Sequence, residues 1–206
     1  PAVRGAKPGL DRVPNRLRVT RDEGVMATTI EHKMIYRLAE GSADMVELLG
    51  SKGAHASEMA RIGIPVPPGF VITTEACLEY VRVGRRFPDG LWDSVVANRH
   101  LLEQETGRVF GDPDNPLVVS VRSGSAVSMP GMMDTIPNLG LNDETVEALA
   151  KSSGNARFAW DSYRRFIQMY GDVVMGVQKL PTEDEGPFEI LIEQVKKKLL
   201  GNAHAD

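Results

Sequence analysis

Two short stretches carry the residue types that handle phosphate. The first is Gly50-Ser51-Lys52-Gly53. Glycine on both sides lets a backbone approach a ligand closely, a helix opening there offers N–H groups to an anion, and Lys52 adds a full positive charge. Its spacing is not the P-loop pattern of Gly, four residues, then Gly-Lys-Ser/Thr. Taken alone, the commoner reading of such a lysine is an exposed turn. The second stretch runs from Arg122 through Ser123-Gly124-Ser125-Ala126-Val127-Ser128-Met129-Pro130-Gly131-Met132-Met133-Asp134 to Thr135. An arginine leaving a strand is held at the sheet edge, where its planar fork can grip phosphate oxygens at two points. The serines offer hydroxyls, Gly124 and Gly131 permit close approach, and methionines can close over a flat base. The residues leave a second reading even with this one: a loop pinned to the core by its methionines, with Arg122 paired to a carboxylate.

Other candidates have simpler explanations. Arg157, Asp161, Arg164 and Arg165 share one helical stretch, and Asp161 is spaced to pair with Arg157 or Arg164 as a surface salt-bridge network. His32, His55, His100 and His204 lie in unrelated contexts without metal-ligand spacing and are read as non-catalytic; no metal ligands are assigned. The run Glu183-Asp184-Glu185 is a solvated turn without calcium-loop spacing. Cys77 is the single cysteine, which excludes an internal disulfide framework and suits a reducing, cytoplasmic setting. A net charge of -4, from 24 Lys+Arg and 28 Asp+Glu in 206 residues, gives no electrostatic ground for nucleic acid or an acidic membrane. No apolar run of membrane-spanning length occurs.

These stretches need elements to hold them. Met34–Leu38 reads as a strand, followed by a turn at 40–42 and a short helix through Leu49 that Gly50 stops. A new helix follows from Gly53, capped at Gly63. Phe70–Thr73 reads as a buried strand, with Thr73 or Thr74 capping a helix that carries Cys77, Leu78 and Val81. A further helix is expected from Leu91 to about Glu105. Leu117–Arg122 is nearly continuously apolar, which predicts a strand buried on both faces in a mixed or parallel sheet covered by helices. Asn142 caps a helix through Val146 and Leu149. The next helix runs from Asn155 to Tyr170 with Ala159, Tyr163, Phe166, Ile167 and Tyr170 on its core face, and Gly171 ends it. A last amphipathic segment carries Ile190, Leu191, Val195 and Leu199. The fold class is therefore α/β (α+β), with a mostly helical C-terminal portion. Residues 1–25, with six arginines and lysines among Pro and Gly, read as a disordered leader, residues 26–141 as an α/β subdomain, and residues 142–206 as a truncated helical one.

Read together, Leu49-Gly50-Ser51-Lys52-Gly53-Ala54 through Glu58-Met59 and Gly63-Ile64-Pro65-Val66-Pro67-Pro68-Gly69-Phe70 resemble the opening of pyruvate, phosphate dikinases. Val119 to Gly124, Ser128 to Thr135, Asn138 to Asp143, and Asn155 to Phe166 strengthen the likeness, which runs from about Met34 to Val177. Related phosphoenolpyruvate synthases carry a different loop at 128–135. The resemblance implies part of an ATP-grasp-like domain that phosphorylates a histidine on a separate carrier domain, using ATP and phosphate and releasing AMP and pyrophosphate, on the way between pyruvate and phosphoenolpyruvate. It implies that Lys52 and Arg122 hold the ATP phosphates and stabilise charge during transfer, and that Gly131, Met133, Asp134 and Thr135 form the loop around the nucleotide.

Ser51 departs from the family, which usually has glycine there. The resemblance also implies that the carboxylates holding magnesium, the phosphohistidine carrier domain and the pyruvate/phosphoenolpyruvate barrel lie outside these 206 residues. The expectation is thus half of an ATP site, inactive by itself. The alternatives are a non-catalytic docking or regulatory module that kept the fold and lost nucleotide binding, and a phosphoenolpyruvate synthase-type kinase half.

Overall fold

The computed structural model of the chain describes residues 33–124, 135–177 and 185–200. The leader expected over 1–25 lies outside them. Six helices and four short strands fall into two groups of packed elements.

In the first group, β1 (Ile35–Arg37) and β2 (Phe70–Ile72) pair antiparallel, with Tyr36 opposite Val71. The amides of Leu38 and Thr73 extend the ladder by donating to Gly69 and Met34 carbonyls. Between them lies α1 (Val46–Arg61). Helix α2 (Thr74–Arg82) starts where the Thr73 side chain accepts the Ala76 amide, and α3 (Leu91–Thr106) runs between left-handed glycines at 90 and 107. Ile35, Ala76 and Leu91 form the core, with Met34, Phe70 and Val95 against it. Ile72 is 46% exposed, so β2 is not the buried strand its sequence suggested. Cys77, Leu78 and Val81 also face solvent, because the small Ala76 is the α2 residue seated in the core.

The second group is built on β3 (Val119–Arg122) and β4 (Thr135–Leu139), with α4 (Thr145–Ser153) and α5 (Ala156–Val173) packed together and β4 against α5. The sheet differs from expectation: two separate two-stranded antiparallel ladders are present among the described residues, not one mixed sheet. With a partner on one side only among the described residues, β3 keeps an open edge there, and Val121 is 48% exposed.

The β3–β4 register shifts between Val119 and Val121, which pair with Leu139 and Ile136. The extra residue falls on β4 at Pro137-Asn138. Proline has no N–H to lose from the ladder, and asparagine tolerates the left-handed φ of 60° found at 138. The Asn138 side chain then donates to the Ser162 carbonyl at 3.1 Å and ties β4 to α5. This close approach sets which face of α5 is inside. Ala159 and Ser162 are buried, with Tyr163 and Phe166 partly so, whereas Ile167 and Tyr170 are exposed. The expected stripe is rotated because small side chains are needed where strand and helix touch. Helix α5 also runs past Gly171, whose missing side chain makes room for the Phe188 ring of α6 (Pro187–Leu200).

Helix α4 begins at a reciprocal cap: Asn142 Oδ1 accepts the Glu144 and Thr145 amides, and Thr145 Oγ1 accepts the Asn142 amide. Asp161 is held by Arg164 and Arg165, both at 2.8 Å; Arg157, expected as a partner, is outside that pair of contacts. The two groups meet through Glu103, whose Oε1 accepts the Phe110 amide at 2.9 Å. That hydrogen bond, ahead of His100 and Arg99, holds the Glu103 carboxyl below the usual range. The Phe110 ring in turn lies against Gly140, where φ is +112° and a Cβ would stand 2.5 Å from the Leu117 carbonyl oxygen. Gly140→Ala is expected to destabilise the chain by about 1–3 kcal/mol, from backbone strain and overlap together. Unchanged urea unfolding would show that the joint is looser than this geometry.

Candidate functional site

Helix α1 is not continuous. At Gly50 the backbone takes φ 68°, ψ 163°, a region open essentially to glycine alone. The helical turn before the break, Val46–Leu49, and the longer segment after it are therefore separate in direction. Expecting Gly50 to stop one helix and a new one to follow was sound; the new one starts at once and not at Gly53. Ser51, Lys52 and Gly53 thus occupy the first turn of the segment after the break. Partial positive charge gathers at such a terminus.

Lys52 is exposed on this turn. Gly53 faces inward, where a Cβ would sit 3.0 and 3.1 Å from the two Val71 methyl carbons. That contact presses the turn onto β2, so Lys52 projects from a surface braced by a strand. Ser51, the departure from the family pattern, has its hydroxyl 3.4 Å from His55 Nδ1.

The turn before the break is fastened at several points. Thr74 Oγ1 donates to the Glu47 carbonyl at 2.6 Å. The Ala43 amide donates to Glu58 Oε2 at 3.1 Å, and Arg61 holds the same carboxylate at both oxygens. Arg61 first, and the Ala43 amide second, lower the Glu58 carboxyl from 4.5 to about 2.

Arg122 closes β3 and is exposed; Thr135 opens β4 and is partly buried. They are register partners across the ladder. Both ends of the Arg122–Thr135 loop are therefore drawn to one spot, with a guanidinium on one side and a hydroxyl on the other. Gly131, Met133 and Asp134 lie outside the described residues. The ion pairs of the described residues leave Lys52 and Arg122 unused, among them the surface pairs Lys33–Glu40, Arg82–Glu79 and Lys196–Glu193. Arg122 is thus not paired to a carboxylate among the described residues. The packing puts Lys52 and Arg122 in different groups of elements, α1 with β2 and α2, and β3 with β4. Sequence reading missed Glu58 and Thr74; the one available signal was that a short helix ending in glycine needs fastening from outside.

Two open cationic surfaces beside a glycine-made break and a loop base suit a nucleotide-binding domain. The family model that matches residues 46–85 is that of the pyruvate phosphate dikinase AMP/ATP-binding domain. The chain is 56% identical to a pyruvate, phosphate dikinase of Rhizobium meliloti over 161 residues, covering 78% of this chain and 17% of that protein. It is 51% identical to that of Clostridium symbiosum over 166 residues (81% and 18%), and 44% identical to chloroplastic pyruvate, phosphate dikinase 1 of Arabidopsis thaliana over 197 residues (94% and 20%). The chain belongs to the pyruvate, phosphate dikinase family and corresponds to an N-terminal part of it. It spans between a sixth and a fifth of the length of these relatives. A match to 94% of 206 residues has to continue past Val177, so the likeness does not stop where the sequence motifs faded.

Two outcomes follow from the break and its fastening. Gly50→Ala forces a side chain into a glycine-only backbone region and is expected to lower stability by on the order of 1–3 kcal/mol in denaturant titration. As for pH, a carboxyl whose folded value lies below 4.5 stabilises the fold fully above that value. The advantage of the wild type over Glu58→Ala is therefore constant above about pH 4.5 and shrinks as pH falls towards about 2. A difference that stayed flat on acidification would show that the carboxylate is not the stabilising form.

Proposed function

We propose that this chain supplies the phosphate-gripping half of the ATP site of a pyruvate, phosphate dikinase. The observation that carries the reading is the pairing of Arg122 with Thr135, which closes the loop between them at a cationic base. In this reading Lys52 and the amides of the turn after Gly50 neutralise the ATP phosphates from one side. Arg122 grips them bidentately from the other, where charge builds as the phosphoryl group leaves. Gly131, Met133, Asp134 and Thr135 close around the nucleotide. Glycine at 50, an exposed ammonium at 52 and a guanidinium at 122 in no ion pair among the described residues fit an ATP polyphosphate.

Among the described residues no three His, Cys, Asp or Glu side chains lie close enough to hold a metal ion. On this reading, by the family resemblance, the magnesium that would accompany ATP is held by ligands elsewhere in the full-length family protein. The carrier-domain histidine that receives the phosphoryl group and the barrel that interconverts pyruvate and phosphoenolpyruvate lie elsewhere in it too. The 206 residues by themselves are inactive in turnover on this reading, and phosphate, AMP and the carrier domain are their partners. No helix among the described residues is long and apolar enough to cross a membrane; a cytoplasmic setting is part of the proposal and rests on the single cysteine.

Calorimetric titration of the chain with ATP and magnesium tests the assignment. Arg122→Ala is expected to weaken binding about tenfold or more, since a lost charge-assisted hydrogen bond is worth roughly 1.5–3 kcal/mol. Unchanged affinity would remove Arg122 from the site. ATP or AMP at millimolar concentration should also raise the thermal midpoint, because a ligand bound only by the folded state stabilises it. No shift with either nucleotide would favour a docking module that kept the fold and lost binding.

A further inference from the structure

We infer that Glu58 is a positioning residue for Lys52, acting through the amide of Ala43; the inference rests on reading Lys52 as a phosphate ligand. The chain from Gly41 to Leu49 leaves the post-break segment of α1 and returns to it. Gly41 lies directly on that segment, where a Cβ would stand 2.5 Å from Ser57 Oγ and 2.6 Å from Leu49 Cδ1. Two residues later the Ala43 amide donates to Glu58 Oε2 at 3.1 Å. A tight turn follows, closed by the Met45 amide on the Ser42 carbonyl at 3.1 Å, and delivers the chain into Val46–Leu49 and the Gly50 break.

Of these fastenings, the Ala43–Glu58 bond is the one hydrogen bond among the described residues that ties 41–45 to the helix beyond the break. The Gly41 contact is steric, and the buried Ser57 hydroxyl beside it has no hydrogen-bond partner among the described residues. Gly50 must span whatever angle separates the two helical segments, and Lys52 sits on the first turn past it. That angle is set by where Glu58 holds Ala43. The bidentate pair with Arg61, at 2.9 and 2.5 Å, keeps the carboxylate in that orientation. Such a pair by itself contributes little at a surface, whereas a carboxylate on the backbone amide of another segment decides geometry.

The test uses the 206-residue chain as wild type, Glu58→Ala, Glu58→Gln and Glu79→Ala. Glu79 has an equivalent pair with Arg82 on α2, with no hydrogen bond to an amide of another segment among the described residues, and so controls for loss of a surface ion pair. Amide hydrogen exchange and ATP titration are measured on each. Glu58→Ala should speed exchange across 43–53 and weaken ATP binding about tenfold, while peptides from α4 and α5 exchange as in the wild type. Glutamine keeps an acceptor for the Ala43 amide but loses the second acceptor for Arg61, so Glu58→Gln should fall between wild type and alanine on both readouts, while Glu79→Ala stays within about twofold of the wild type. Wild-type exchange at 43–53 in a folded Glu58→Ala would overturn the inference. So would exchange raised equally everywhere, or a Glu58→Gln variant as impaired as alanine. If the wild type fails to bind ATP, the reading of Lys52 falls, and the exchange pattern still decides whether Glu58 sets the turn.

Discussion

A lysine in the middle of an unbroken helix projects from a cylinder whose amides are already spent on carbonyls one turn back. The same lysine in the first turn past a break projects from the start of a new helical segment, where the partial positive charge of a helix terminus gathers. The 68°, 163° backbone of Gly50 makes that difference here, and no residue with a Cβ reaches it at comparable cost. Around it the fold supplies matching fasteners: Gly53 flush on Val71, Thr74 on the Glu47 carbonyl, and Glu58 on the Ala43 amide. The turn made at one glycine is thus held by contacts from a strand, a second helix and the far side of the same helix.

The second half of the site follows a different logic. Where α1 depends on a break, β3 and β4 depend on closure. Pairing Arg122 with Thr135 joins the ends of a loop whose intervening residues then cannot stray far from the guanidinium. What keeps the ladder in place is a set of close approaches made possible by small or left-handed residues. Asn138 bends β4 towards the Ser162 carbonyl, and Ala159 and Ser162 make room for it on α5. Gly140 lets the chain pass the Leu117 carbonyl and the Phe110 ring. Through Phe110 and Glu103 this group is tied to α3 of the first. Membership of the pyruvate, phosphate dikinase family gives that arrangement its context, since both cationic stretches fall in a segment homologous to a sixth or so of those enzymes.

Much of this was legible in the residues. Gly50 broke and left-handed Gly63 followed the end of α1 as their sequence context required, and Thr73 and Asn142 capped helices. These are local effects: the dihedral freedom of glycine and the reach of a short polar side chain act over three or four residues, so sequence order contains them. The two cation-bearing stretches and the family were legible for the same reason, because a contiguous motif carries its own neighbours.

Tertiary structure alone decided the rest. The apolar run at Leu117–Arg122 suggested a strand buried on both faces, yet its one strand partner among the described residues is β4, and which strands meet is a choice between distant segments. The inner face of α5 turned on the approach of Asn138, which periodicity cannot register because it counts apolar residues and not the room between backbones. Glu58 reads as one half of an ordinary i,i+3 pair with Arg61. Its second partner, an amide fifteen residues earlier, exists only once Gly50 folds the chain back on itself.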